Sequence, residues 1–194
     1  CRQKRGSKMK KYLIFLLTFF FALNANSSSN QKIINHFKNI NSLEFKFIQK
    51  IDNNNIEKGE CIILYPKKIL CKYEDIYEKI LVSNGRSLVI NSKKIKNYLN
   101  YKLKDTPLDL ILDKDYLLKK IDEIESIKEN NENYYFKINH NESLITIFFD
   151  RENYDLKGWT TKDIYQNEVE TYLLNIETNL MIDEGIFTIQ KYIN

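Results

Sequence analysis

Thr106-Pro107-Leu108-Asp109-Leu110-Ile111-Leu112 lies in the middle of a 194-residue chain that otherwise reads mostly as β-strand. Thr106 is placed to cap a helix, Pro107 suits the first helical position, and Asp109 stands where the acid of a capping box stands. Leu108, Ile111 and Leu112 then share one face at i, i+3 and i+4, while Leu110 points the other way. A short helix that is apolar on more than one side needs two apolar partners. One is expected to be a β-sheet wall and the other an apolar cargo.

Working outward from this stretch, the flanks alternate with a period of two. Leu43, Phe45 and Phe47 alternate with Glu44 and Lys46, the pattern of a half-buried strand. Residues 60–65 and 69–73 are expected to be strands joined around Pro66-Lys67-Lys68. Residues 79–83 and 87–91 flank Asn84-Gly85, the strongest short hairpin signal in the chain. A Tyr-rich strand follows at 95–103, and the helix that begins at Thr106 is expected to run in pieces to about residue 121. Beyond it, 122–128, 134–139, 144–149, 156–163, 168–176 and 185–192 all read as strands. Upstream, Ile33, Phe37 and Ile40 recur at helical spacing and predict an amphipathic helix over 31–40, with a turn at 52–55. The expected architecture is therefore mainly β: about ten or eleven short strands in an antiparallel sheet curled into a barrel. Two helical segments interrupt the strands. An unclosed barrel with an α-helical lid across its mouth accommodates both facts. Several strands are apolar on both faces, as in Ile62-Ile63-Leu64, Ile80-Leu81-Val82 and Leu88-Val89-Ile90. Two readings stay open: a core inside with helices outside, or a curled sheet whose inner face lines a ligand cavity.

Residues 1–25 are expected to be a leader and signal peptide with its true start at Met9. Lys10 and Lys11 precede a nearly unbroken apolar run over 12–23, and Ala25 is small enough for cleavage. That run is short for a membrane span, so an uncleaved anchor is the alternative. Residues 26–194 show no linker or composition break and are expected to be one domain. Six of the thirty basic residues and none of the acids fall in 1–25, which leaves twenty-four basic against twenty-six acidic groups, a net of −2. The apparent positive charge belongs to the export signal, and no nucleic-acid partner is expected. Cys61 and Cys71 lie on two runs that look like the arms of one hairpin. An exported chain can oxidise them, and their register leaves the pairing open. No cysteine directly follows the apolar run, so a lipid-attachment site is not expected; the protein should be a monomer in the periplasm.

There is no G-x-S-x-G elbow, no G-x-x-x-x-G-K-S/T loop, no H-E-x-x-H and no C-x-x-C. His36 reads as a surface residue, His140 as a turn residue, and the carboxylates are scattered. Neither an enzyme nor a cofactor is expected.

Taken together, several segments resemble one family. Residues 43–49 (LEFKFIQ) are similar to the first-strand F-x-Q segment of the LolA family of periplasmic lipoprotein carriers, and residues 59–66 to its "G-x-hydrophobic…R-P" strand. Residues 80–85 (ILVSNG) resemble its "ILVSDG" hairpin, residues 106–112 its "TPL…LL" helix, and residues 156–171, with Trp159, Asp163 and Thr171, its late "L…W…D…T" strand pair. The resemblance spans roughly 30–192. It implies a cavity that takes the acyl chains of a lipoprotein released by an inner-membrane transporter and passes them to an outer-membrane receptor. It implies further that Phe37 faces the cavity and that Leu108, Ile111 and Leu112 form the lid face. Phe45, Phe47, Ile63 and Ile69 are wall candidates by strand parity. The family carries an Arg immediately before the proline that holds the lid closed; Tyr65 stands there in this chain and is the candidate latch, with one hydroxyl and no charge. Cys71 stands where the family has an aromatic residue. The alternative reading is a periplasmic sensor of lipid or lipoprotein on the same half-barrel.

Overall fold

The computed structural model describes residues 28–51, 55–140, 143–163 and 166–193. The expected leader, and residues 52–54 of the expected turn, lie outside the described residues. Eleven strands form one antiparallel sheet: β1 (Ser42–Ile51), β2 (Asn55–Leu64), β3 (Lys68–Tyr73), β4 (Lys79–Asn84), β5 (Ser87–Ser92), β6 (Asn97–Lys102), β7 (Lys128–Glu129), β8 (Asn133–His140), β9 (Ser143–Asp150), β10 (Leu156–Lys162) and β11 (Glu168–Thr178). Their spatial order is β6-β5-β4-β3-β2-β1-β11-β10-β9-β8-β7. The outermost strands, β6 and β7, do not pair with each other, so the sheet curls without closing.

Among the described residues three α-helices lie against it: α1 (Ser29–Phe37), the single-turn α2 (Leu108–Ile111) and α3 (Lys114–Glu123). α1 begins where the Ser28 hydroxyl accepts from the Gln31 N–H, and it buries Ile33 and Phe37 at i and i+4. α3 begins where the Asp113 carboxylate accepts from the Tyr116 N–H at 3.0 Å, and it buries Leu117 and Ile121. These two helices fill part of the concave face. There Phe37 meets Phe149 edge-on at a ring separation of 5.6 Å.

The strands that are apolar on both faces are explained by two separate layers. The odd-numbered Cys61, Ile63, Ile69, Cys71 and Leu81 on β2 to β4, and Leu88 on β5, point inward and join the main core. The outward-facing Leu70, Ile80, Val82 and Val89 form a second cluster with Phe187 and Ile189 from the end of the chain. The C-terminal segment thus covers the convex face, while helices cover only part of the concave one.

Several boundaries differ from expectation. Residues 122 and 123 belong to α3, and of the strand expected over 122–128 only Lys128 joins the two-residue β7. The buried Asn30 side chain caps the C-terminal end of the helix there: its amide donates to the carbonyls of Ile121 (3.1 Å) and Ile124 (2.7 Å), and its oxygen accepts from the Ile127 N–H (2.9 Å). Residues 185–192 are not a strand but two 3-10 turns, Glu184–Phe187 and Ile189–Tyr192. Asp183 caps the first by accepting from the Gly185 N–H at 2.8 Å, and the turns set Phe187 and Ile189 onto the sheet. The strand expected over 95–103 starts at Asn97, after a 3-10 turn at Lys93–Ile95, and Leu103 opens another 3-10 turn, Leu103–Asp105. Thr106 does not cap α2; its hydroxyl donates back to the Leu103 carbonyl at 2.8 Å.

Replacing Asn30 by Ala leaves one buried N–H and two helix-end carbonyls without their partner. The expected loss of unfolding free energy is about 2–3 kcal/mol. Urea denaturation measures it, and a loss below about 1 kcal/mol would show that these groups find other partners.

Candidate functional site

Where the helices stop, the concave face encloses a cavity of about 610 Å³. Its apolar wall is made by Phe47 on β1, Ile69 on β3, Leu81 on β4, Leu88 and Ile90 on β5 and Trp159 on β10; Thr106, Pro107 and Leu108 form a roof on the side of α2. The Cys61–Cys71 disulfide, with an S–S distance of 2.00 Å, lies in the same wall. These two cysteines are direct cross-strand partners on β2 and β3, which settles the pairing that the sequence left open. A second recess of about 480 Å³ lies between α3 and β8, edged by Lys120, Glu123, Lys128 and Lys137, and no residue of α2 borders it.

One glycine shapes the larger cavity. A Cβ on Gly59 would stand 2.2 Å from the Lys72 carbonyl oxygen and 2.8 Å from the Phe47 ring. Without it, Phe47 lies across β2 and meets Tyr73 edge-on at 5.0 Å. The cavity then changes character from one end to the other. Around Tyr73 the wall carries Gln49, Thr171, Glu57 and Lys79. Lys79 pairs with Glu57, and its ammonium stands 3.9 Å from the centre of the Tyr73 ring. Burial first, then the nearby Glu57 and Asp75 carboxylates, push the Tyr73 phenol well above its ordinary value, so it remains a proton donor.

The roof is tied down from the turn between β2 and β3. Lys67 adopts a left-handed φ of 66°. Its N–H donates to the Leu112 carbonyl at 2.9 Å, and its own carbonyl accepts from the Ser83 hydroxyl at 3.0 Å. Its ammonium lies 3.0 Å from Asp109 and 3.3 Å from Asp113, on either side of α2's C-terminal half. Burial alone would lower the Lys67 pKa, but the hydrogen bonds and charges of the two aspartates outweigh it and hold the value above that of an ordinary lysine. The contribution of this charge is therefore complete below the ordinary lysine value and is lost only as the pH rises through the raised one. α1 and α3 are joined differently. Lys114 donates to the Lys38 and Ile40 carbonyls at 3.0 and 2.7 Å, and burial pulls its pKa down. His36 ties α1 to the turn before β10 through Asp155 at 2.7 Å, so it is a structural contact rather than a free surface residue.

Among the residues singled out from sequence, Phe47, Ile69 and Leu108 border the cavity. Phe37, Phe45, Ile63, Ile111 and Leu112 are fully buried in the adjoining core and do not border it. Within 106–112 the roles therefore divide: Leu108 faces the cavity, and Ile111 and Leu112 anchor the segment. The Tyr65 hydroxyl is sealed from solvent and makes no hydrogen bond among the described residues, and burial raises its pKa far above the ordinary value. Its ring packs edge-on against Phe37 at 5.7 Å. The polar contact with the lid expected of Tyr65 is made by Lys67 instead. The signal was legible, since Lys67 follows the proline and Asp109 and Asp113 are spaced one helical turn apart, but the Lys-rich composition hid it. Gln49, Tyr73 and Thr171 sit on three separate strands, so nothing in the sequence marks them as a set.

A family model described as "Outer membrane lipoprotein carrier protein LolA" matches residues 38–190. No curated protein matches the chain. Among solved structures, a LolA superfamily protein from Nitrosomonas europaea aligns at 7% identity and a TM-score of 0.45, covering 85% of this chain and 100% of the other. An uncharacterized conserved protein from Thermus thermophilus aligns at 6% identity and a TM-score of 0.49, covering 82% and 93%. MucB in the MucA/MucB complex of Pseudomonas aeruginosa aligns at 11% identity and a TM-score of 0.41, covering 81% and 58%.

Lys67→Met removes the charged tie to α2 while keeping the length of the side chain. Amide exchange over 105–112 is expected to quicken by about threefold to tenfold. Lys67→Arg should retain slow exchange, and so should Tyr65→Phe, which removes only an unpartnered hydroxyl. Unchanged exchange in Lys67→Met would mean that the packing of Ile111 and Leu112 alone holds the segment.

Proposed function

Because the chain belongs to the LolA family of outer membrane lipoprotein carrier proteins, we propose that it is a non-enzymatic periplasmic carrier. It takes up the acyl chains of lipoproteins released by an inner-membrane transporter and hands them to an outer-membrane receptor. The observation that carries this reading is the apolar cavity roofed by Pro107 and Leu108. Hydrocarbon leaving water gains about 0.8 kcal/mol per methylene, so a chain of about sixteen carbons gains roughly 12 kcal/mol on complete burial. A carrier has to recover its cargo's solubility from that burial and still let go.

The roof suits both demands. Ile111 and Leu112 fix its C-terminal end in the core, whereas Leu108 is only half-buried and rests over the opening. Lys67 holds the closed position through partly solvated ion pairs, which are weak and separable. A short segment that pivots between these anchors opens the cavity without unpacking the core. The disulfide supports an exported location, since such bonds persist in oxidising compartments. Acylated lipoproteins are the expected partners.

Mixing the exported chain with a detergent-solubilised triacylated lipoprotein, then removing the detergent, tests the reading. A soluble one-to-one complex is expected. Leu108→Asp, which places a charge in the cavity roof, should abolish the complex while shifting the unfolding temperature by only a few degrees. If the unaltered chain leaves the lipoprotein to aggregate, the carrier assignment fails.

A further inference from the structure

The cavity contains more hydrogen-bond donors than it uses. Tyr73 donates its phenolic proton to Gln49 Oε1 at 3.4 Å, and Gln49 Nε2 donates to Thr171 Oγ1 at 2.9 Å. The phenol, the amide NH₂ and the hydroxyl carry four polar protons between them, and these two hydrogen bonds engage two. The second amide proton and the Thr171 hydroxyl proton have no acceptor among the described residues. Thr171 is 4% exposed and Gln49 half-buried, so a ligand that fills the cavity shuts both off from water. It stands opposite Gln49 on β1 and opposite Trp159 on β10, and all three side chains border the cavity.

A purely hydrocarbon ligand would leave both protons buried and unpaired, which is costly. An oxygen with two lone pairs would satisfy both. The rest of the wall fits a saturated chain, from Ile69 and Leu81 to Leu88 and Leu108. Resting on the reading of this cavity as an acyl-chain site, we propose that Gln49 and Thr171 form a polar subsite for the carbonyl oxygen of an acyl ester or amide. The subsite fixes where along the cavity the chain begins. The chain then runs from the Gln49–Thr171 end toward the roof at Leu108, and the Lys79–Glu57 pair lies beside its polar end. Tyr73 acts at one remove, as the group that orients the Gln49 amide.

Trp159 is the single tryptophan of the chain and borders the subsite, so its fluorescence reports occupancy directly. Titrations with methyl palmitate and with hexadecane separate the carbonyl from the hydrocarbon. The unaltered protein should bind methyl palmitate more tightly. Thr171→Val, which keeps the shape and removes the hydroxyl, should weaken methyl palmitate about fivefold to tenfold and leave hexadecane unchanged. Gln49→Leu should act in the same direction, and Thr171→Ser should restore the preference. Equal weakening of both probes by Thr171→Val, or no effect on either, overturns the subsite and leaves the acyl-chain cavity standing. If the unaltered protein binds neither probe, the cavity reading falls and the subsite with it.

Discussion

Strands β2 to β5 carry apolar side chains on both faces, and the rest of the structure follows from having to cover both. The convex face is covered by the end of the chain, whose 3-10 turns press Phe187 and Ile189 onto Leu70, Val82 and Val89. The concave face is covered by α1 and α3 over only part of its area. Because the sheet does not close, neither side can be completed by strand pairing. What remains on the inside is a largely apolar hollow that none of the described residues fills. Native cores are packed to crystal density, and a hollow of this size beside a well-packed core is what the proposed acyl-chain site rests on.

On the proposed carrier reading, holding such a hollow shut without committing it to stay shut is an electrostatic problem. The segment 106–112 is pinned at one end by the burial of Ile111 and Leu112 and tied in the middle to Lys67 by two aspartates and one backbone carbonyl. An apolar seal along its whole length would be as hard to open as the core. Ion pairs that keep some contact with water exchange readily for hydration. The polar end of the cavity answers a second need. Gln49, Tyr73 and Thr171 form a directed chain of donors on three strands that the hydrophobic pattern alone would have left apolar.

Most of the sheet was legible from alternation. Leu43, Phe45 and Phe47 fell on the expected inner face, and Asn84-Gly85 turned the expected hairpin, with the Asn84 side chain accepting from the Arg86 and Ser87 N–H groups. The failures share a cause. Residues 185–192 have strand-like composition, and 122–123 lead into a stretch carrying Ile124 and Ile127, but tertiary contacts overrode both: Asn30, ninety residues away, caps the C-terminal end of α3, and the convex face draws Phe187 and Ile189 into 3-10 turns. At the candidate site, parity identified wall residues but gave no measure of how deep the helices reach. Phe45 and Ile63 therefore lie under packed protein, whereas Phe47 and Ile69 lie beside the hollow. Lys67 lies two residues beyond the position that the family resemblance marks, in a chain so rich in lysine that one more carries little signal.

The most direct measurement of the central claim is photolabelling of the protein with an acyl lipid bearing a diazirine along its hydrocarbon. Peptide mass mapping then locates the inserted label. If the chain occupies the hollow between the sheet and the 106–112 segment, the label attaches to Ile69, Leu81, Leu88 and Leu108 and spares the convex-face residues Leu70, Ile80 and Val82. Label on the convex face, or spread without preference over both faces, would contradict the account.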